Sequence, residues 1–452
     1  MRLLLLAQFF PPDIGGEERH VFNLANTLAD RGHEVAVATQ RLDGVPDQEV
    51  LPSGVRVYRF ATTAMRLPGV YSSNRAHHPP VPDPLGVREL ARIVRNECPD
   101  VVHAHNWIIN SALALRRHSA TKPRFGLVLT LHDYSQVCAT KRLMRADVSC
   151  PGPKASRCLP CASTHYGPVV GPVTVAATSV MRAWKERAID HIISVSQAVA
   201  DGNRIPDGPS SSVIPNFVLD SALLPPTDDP ARRTSGDGSF AVPKEPFVLF
   251  VGEFSHEKGL HTLLDAYESL GEHRPALMLV GRRTSDTPTW LPSGAEMHLD
   301  WPHEHVLAAF QRCLMAVLPS VWPDPCPTTV LEAMASGRPV IASSVGGVVD
   351  MIADGASGLL VPPGDTAGLA VAMDRLLADE DLRARLGASA KVGVRPFTAS
   401  AVAERLEAVY ARVVSRRQST ARTAVLAARD EQLVRPETLK ESMLRRLPVV
   451  RR

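Results

Sequence analysis

A chain of 452 residues is longer than one ordinary domain and fits two or three. An apolar share of 44% is enough for large cores and excludes global disorder. The 50 basic and 47 acidic residues leave a net charge of +3, and no basic stripe interleaves with aromatics, so no nucleic-acid partner is expected.

In chain order, the run Leu3–Phe9 comes first. One Arg and a short apolar stretch suggest a signal peptide, but Pro11-Pro12 follow without a small-residue cleavage site, so a buried strand is expected. No other apolar run nears the ~20 residues of a membrane span, and the cytoplasm is the expected compartment. Val21, Leu24, Ala25 and Leu28 repeat at helical spacing and predict a helix over about Glu17–Arg31, stopped by Gly32. The runs Glu34–Thr39, Asp100–His105, Gly126–His132 and His191–Ser196 predict buried parallel strands of a doubly wound domain. From Leu219 to Pro246 the texture turns to Pro, Asp, Ser, Gly and Thr, which reads as a linker. The pattern then restarts. Strands are predicted at Phe247–Gly252, Ala276–Gly281, Met315–Ser320 and Pro339–Ser343, with a helix at about Gly259–Leu270. The expected fold is α/β, with two Rossmann-like doubly wound domains facing across a cleft, because open parallel sheets bind ligands at their strand carboxyl ends. The expected division is a domain over 1–220, a linker over 221–245 and a second domain over 246–395, followed by a helix over 396–414 packing back toward the first domain and a basic tail over 415–452.

The segment Trp322–Gly347 is the richest in chemistry. Val330, Leu331, Met334 and Ala335 make the apolar face of a short helix that Gly337 ends. Thr328 and Thr329 stand at its start, where free backbone N–H groups and the helix dipole favour a phosphate. Asp324 and Glu332 can each accept hydrogen bonds from neighbouring sugar hydroxyls; from spacing alone, a capped surface helix with two solvated acids is the alternative. Lys258 precedes Gly259 at another helix start, a place for a point charge on a diphosphate. Gly15 and Gly16 allow conformations closed to other residues and a close approach to a ligand. Their segment is not G-x-G-x-x-G, so no dinucleotide cofactor is expected. His103 and His105 in VVHAHN and His132 in LTLHDY end strands that face the cleft. Packing is expected for His103 and an acceptor-side cleft contact for His105. Asp133 points to the opposite face from His132 and makes no dyad with it.

Cys138, Cys150, Cys158 and Cys161 fall in a Pro/Gly-rich segment expected to be a loop and have the donor set of a structural tetrahedral zinc, with reduced or redox-labile thiols as the alternative. Seven cysteines without an export signal do not read as a disulfide framework. Asp379-Glu380-Asp381 reads as helix capping, and no catalytic metal is expected. The tail holds ten basic and four acidic residues; Leu439, Met443, Leu444 and Leu447 share a helical face that could dock on anionic lipid at the inner face of the membrane, but the face is short and a solvated or partner-bound tail is the favoured expectation.

The Asp324-to-Glu332 spacing, continued through Gly346–Asp365, resembles the acidic-x7-acidic motif of the retaining glycosyltransferases of family 4, which share the GT-B fold. The likeness runs to about Val414. It implies transfer of a glycosyl group from a nucleoside diphosphate sugar to a carbohydrate or lipid-linked acceptor, with retention and without a required cofactor. By the resemblance Glu332 would hold the ribose hydroxyls, Asp324 the transferred sugar, and the N–H groups at Thr328 and Thr329 the diphosphate. Val251–Tyr267 resembles the second phosphate element of the family, with Gly252 and Lys258 on the donor. The Gly15-Gly16 loop would approach the donor phosphates and the acceptor, and His132 matches a strand-end histidine near the transferred sugar. His132, Lys258 and Asp324 are the implied catalytic residues. The chain departs from the usual pattern with Asp for Glu at 324, Cys326-Pro327 for Phe-Gly, and Glu253 where many members have Arg. Glu253 is expected to point away or to pair with Lys258. A nucleotide-sugar epimerase of the same fold and a catalytically silent sugar-nucleotide-binding subunit are the alternatives.

Overall fold

The computed structural model describes residues 1–12, 15–66, 78–117, 125–145, 148–224 and 242–433. Most of the expected linker and the apolar tail face from Leu439 to Leu447 lie outside the described residues. The strands are β1 (Arg2–Leu6), β2 (Glu34–Gln40), β3 (Gln48–Val50), β4 (Arg56–Phe60), β5 (Val101–His105), β6 (Gly126–Leu131), β7 (Met144–Arg145), β8 (Val148–Ser149), β9 (His191–Ser194), β10 (Ser211–Val213), β11 (Phe247–Phe254), β12 (Ala276–Arg283), β13 (Ala295–Leu299), β14 (Met315–Leu318), β15 (Val340–Ser343) and β16 (Leu359–Val361). The helices are α1 (Gly16–Asp30), α2 (Pro84–Glu97), α3 (Ile109–Arg117), α4 (Ala155–Ala188), α5 (Gln197–Gly202), α6 (Leu260–Glu268), α7 (His303–Arg312), α8 (Thr328–Ala335), α9 (Thr366–Ala378), α10 (Glu380–Gly393) and α11 (Ala399–Leu433).

Two sheets result. The first has the order β10-β9-β6-β5-β1-β2-β4-β3, parallel except for the edge strand β3, and the second the all-parallel order β13-β12-β11-β14-β15-β16. The fold is the α/β, two-sheet GT-B architecture. Alternation along β1 sorts its side chains to two cores, Leu4 and Leu6 to one and Leu3 and Leu5 to the other. Val21, Leu24, Ala25 and Leu28 of α1 cover the second of these, as their spacing predicts.

The chain returns from the second sheet to the first at Val218 and Thr398, where Ala399 N–H donates to the Val218 carbonyl at 2.9 Å. Helix α11 then lays Val402, Leu406, Val409, Tyr410 and Val413 into the first domain's core. It runs on to Leu433, so its first residues past 414 are helix rather than tail, and Arg417 reaches Asp190 at 2.9 Å. Cys158 and Cys161 are not in a loop but in the first turns of α4. The proline-rich composition conceals this helix. Gly167 (φ 85°, ψ 166°) breaks it, and Pro168 opens a second helical run, since a residue before proline avoids helical geometry while proline suits a helix start.

Candidate active site

On the second domain, β11 ends in a turn that closes with Gly259 at φ 74°, whose absent side chain lets the Pro319 carbonyl approach within 1.8 Å of where a Cβ would stand. That contact presses Lys258 against the segment entering α8. Lys258 Nζ donates to the buried carboxylate of Asp324 and lies 5.1 Å from the Trp322 ring centroid. Burial alone would lower the Lys258 pKa, but the Asp324 charge and hydrogen bond outweigh it and the ammonium is stabilised. Gly252 stands in register with Gly281 on β12, and the missing Cβ at Gly281 makes room for the Gly252 carbonyl. Glu253 does not pair with Lys258; its nearest cation is Arg282 at 3.8 Å.

Asp324 is held from behind. Its carbonyl accepts from Gly347 N–H at 2.8 Å, and Gly346, at φ 62°, passes so close that a Cβ would sit 2.3 Å from that same oxygen. Thr328 and Thr329 open α8 after Pro327, which supplies no side-chain cap. About one turn later Glu332 is buried, its Oε1 2.9 Å from His303 Nε2. Asp324, Lys258, Thr328, Thr329 and Glu332 therefore belong to one patch at the start of α8. His303 has no signal in the sequence beyond its place in WPHEH.

On the first domain, His132 Nε2 is 2.8 Å from His105 Nδ1. His105 is fully buried, so it meets His132 instead of contacting the cleft itself, because the ring packs between His103 and His132. His103 is hydrogen-bonded to Tyr410 Oη and Thr130 Oγ1, both at 2.7 Å, a packing role. Burial pushes His132 down to about 4 and His103 to about 3, so both rings are neutral near pH 7. His20 joins the group with its ring centroid 4.8 Å from that of His132. One ligand atom from each of His20, His105 and His132 falls within 4.8 Å of the others, a set of imidazoles able to hold a metal ion.

Gly15 and Gly16 sit where α1 begins, but neither has positive φ. Gly15 is extended at φ −131°, so conformational freedom is not what it supplies. A Cβ there would strike the Glu18 carboxylate at 2.3 Å, whereas Gly16 has open space beside it. Sequence reasoning missed Glu17 and Asn106. Asn106 accepts from His132 N–H at 3.0 Å and donates to Glu17 Oε2 at 2.6 Å. Burial, with Glu18 and Asp133 nearby, raises Glu17 to about 8. The usable signals were Asn106 directly after the HxH pair and Glu17 directly after the glycines.

The two sides meet. Tyr134 Oη donates to the Pro323 carbonyl at 2.8 Å, Asn216 Nδ2 to the Cys326 carbonyl at 2.9 Å, and Arg142 pairs with Glu257 at 2.7 Å. A cleft between two largely parallel sheets, with a cation–carboxylate pair on one side and the neutral His132 on the other, is a form suited to a group-transfer enzyme. The models "Glycosyltransferase Family 4" and "Glycosyl transferases group 1" match residues 14–219 and 234–392. The chain belongs to glycosyltransferase family 4. It is 29% identical to a glycogen synthase of Mycobacterium tuberculosis over 406 residues, 84% of this chain and 86% of that one. Its fold is similar to sucrose-phosphate synthase from Thermosynechococcus elongatus, with a TM-score of 0.69 at 22% identity over 91% of this chain and 99% of that one. It is likewise similar to HepE of Anabaena, solved with UDP and glucose, with a TM-score of 0.62 at 18% identity over 91% of this chain and all of the other.

Proposed function

We propose that this glycosyltransferase takes its glycosyl group from a nucleoside diphosphate sugar and transfers it, with retention at the anomeric carbon, to a carbohydrate or lipid-linked acceptor. The observation that carries the reading is the Lys258–Asp324 pair beside the start of α8. A diphosphate arriving at Thr328 and Thr329 would draw Lys258 onto its oxygens, where the cation offsets the charge that develops on the leaving group. Asp324, released from Lys258, would then accept from the sugar hydroxyls, while Glu332 turns from His303 to the ribose. Neutral His132 has its Nε2 taken up by His105, which fixes the ring and leaves the other nitrogen to orient the sugar. The departing phosphate can take the acceptor proton, so no residue is required as the main base. HepE, solved with UDP and glucose, supports this class of donor. Among the described residues no helix is long and apolar enough to cross a membrane; any membrane contact would be peripheral. A thermal-shift screen of nucleotide sugars tests the reading. One or more nucleoside diphosphate sugars should raise the melting temperature by several degrees, and no shift with any of them would refute it.

A further inference from the structure

The four cysteines clustered after His132 are brought onto one helix end. Cys158 and Cys161 lie three residues apart on the same face of the first turns of α4. The chain carrying the other two is pinned to that helix on both flanks. Tyr166 Oη of α4 donates to the carbonyl of Ala139, next to Cys138, at 3.0 Å. Arg157 of α4 donates to the carbonyl of Gly152, two residues past Cys150, at 3.1 Å. Cys150 N–H in turn donates to the Leu143 carbonyl at 2.7 Å, beside the small β7–β8 hairpin. All four thiols are free and half-buried. The stretches carrying Cys138 and Cys150 are therefore tied to the helix turns that carry Cys158 and Cys161.

Few buried apolar side chains hold this segment. Between Ala139 and Ala162 the only buried apolar side chain among the described residues is Met144. Yet the segment reaches the donor side. Arg142 pairs with Glu257, the residue before Lys258, and its carbonyl accepts from the indole N–H of Trp322, whose ring faces the Lys258 ammonium.

We infer that Cys138, Cys150, Cys158 and Cys161 form a structural zinc site that fastens the 138–161 segment and so holds Arg142 against the Lys258 side of the cleft. Zinc takes four thiolates tetrahedrally; the four thiols give up their protons to solvent, and no redox change is involved. The sulfurs have still to converge, because the histidine trio is the only group with three ligand atoms within 4.8 Å among the described residues. A short hairpin and the first turns of a helix are elements that a metal can draw together, and a segment with one core residue is the kind that needs it. The effect on donor binding rests on the proposed function; the metal site does not.

The test uses the full chain, produced with zinc present and measured by elemental analysis. One zinc per chain is expected in the wild type and in Cys98→Ser, and none in the Cys158→Ser/Cys161→Ser double variant. No zinc in the wild type, iron in its place, or zinc retained by the double variant would overturn the site. UDP titrations then read the coupling. Zinc removal by a chelator and the substitution Arg142→Ala should each weaken UDP binding several-fold, and together no more than either alone. Unchanged UDP affinity after zinc removal would overturn the fastening. The chelated wild type keeps the test independent of whether the cysteine variant folds. A chain that holds zinc but binds no nucleoside diphosphate would leave the metal site standing and refute the donor reading.

Discussion

Lys258 and Asp324 neutralise each other in the free protein, and a substitution at either has two consequences. Lys258→Ala leaves the Asp324 carboxylate buried without its partner, which should cost about 1–3 kcal/mol of stability, read by denaturant titration. It should also reduce turnover more than affinity for the bare nucleoside, since the charge acts on the diphosphate; an equal loss of nucleoside binding would contradict that. Glu332→Ala should weaken nucleotide binding by about 1–3 kcal/mol in calorimetry, because on the proposed reading it leaves ribose hydroxyls unpaired. His132→Ala should lose most transfer activity at near-normal nucleoside affinity, while His132→Asn, which retains a donor and an acceptor, should keep a measurable part of the rate. Equal inactivity of both with donor still bound would make His132 a proton carrier. The buried histidines also set a pH dependence. The unfolded chain takes up a proton at each near 6.5, whereas folded His132 waits until about 4 and His103 until about 3. The unfolded state therefore binds more protons between those limits, and each such histidine removes about 1.4 kcal/mol of stability per pH unit on acidification. Glu17, raised from 4.5 to about 8, acts in the opposite sense, but four lowered histidines outweigh it. Chemical denaturation should show lower stability at pH 5 than at pH 7, and equal values would contradict the burial of these rings.

Elements differ in how well the sequence announces them. Helix α1 and strands β1, β2, β5, β6, β11, β12, β14 and β15 are legible because each buries apolar residues at the period of its own geometry. The edge strands are not. β13 is partly exposed and reads AEMHL, so tertiary pairing with β12 decides it rather than composition. Helix α4 is concealed by three prolines. The patch around Lys258 and Asp324 is legible because its residues lie in two short segments, Val251–Tyr267 and Trp322–Gly347, each ordered by its own helix start. The Glu17–Asn106–His132 chain is not, because its members come from three segments that only the sheet brings together. Asp379 caps α10 through Leu382 N–H at 2.8 Å, which matches the capping expected from its acidic triplet. At Gly259 the backbone requires glycine twice over, by its φ and by the Pro319 carbonyl. Gly259→Ala should therefore destabilise the protein by more than about 1 kcal/mol and displace Lys258. An unchanged melting temperature would show that the turn can relax.

At the scale of the whole molecule, the cleft is a meeting of two sheets, and the returning chain at Thr398 bridges the outgoing chain at Val218. Because α11 belongs to the first domain's core, the second domain is tethered at both ends, an arrangement suited to hinge closure. Closing would bring His132 toward Asp324 and exclude water, which favours transfer over hydrolysis. The central claim is that this cleft passes a glycosyl group from a nucleoside diphosphate sugar to an acceptor with its configuration kept. Proton NMR of the anomeric signal, followed during incubation of the full chain with α-linked nucleotide sugars and candidate saccharide acceptors, tests it most directly. The account predicts loss of the donor signal matched by a new α-anomeric product that needs acceptor. A β-linked product, an epimerised donor without transfer, or a bound donor that never changes would contradict it.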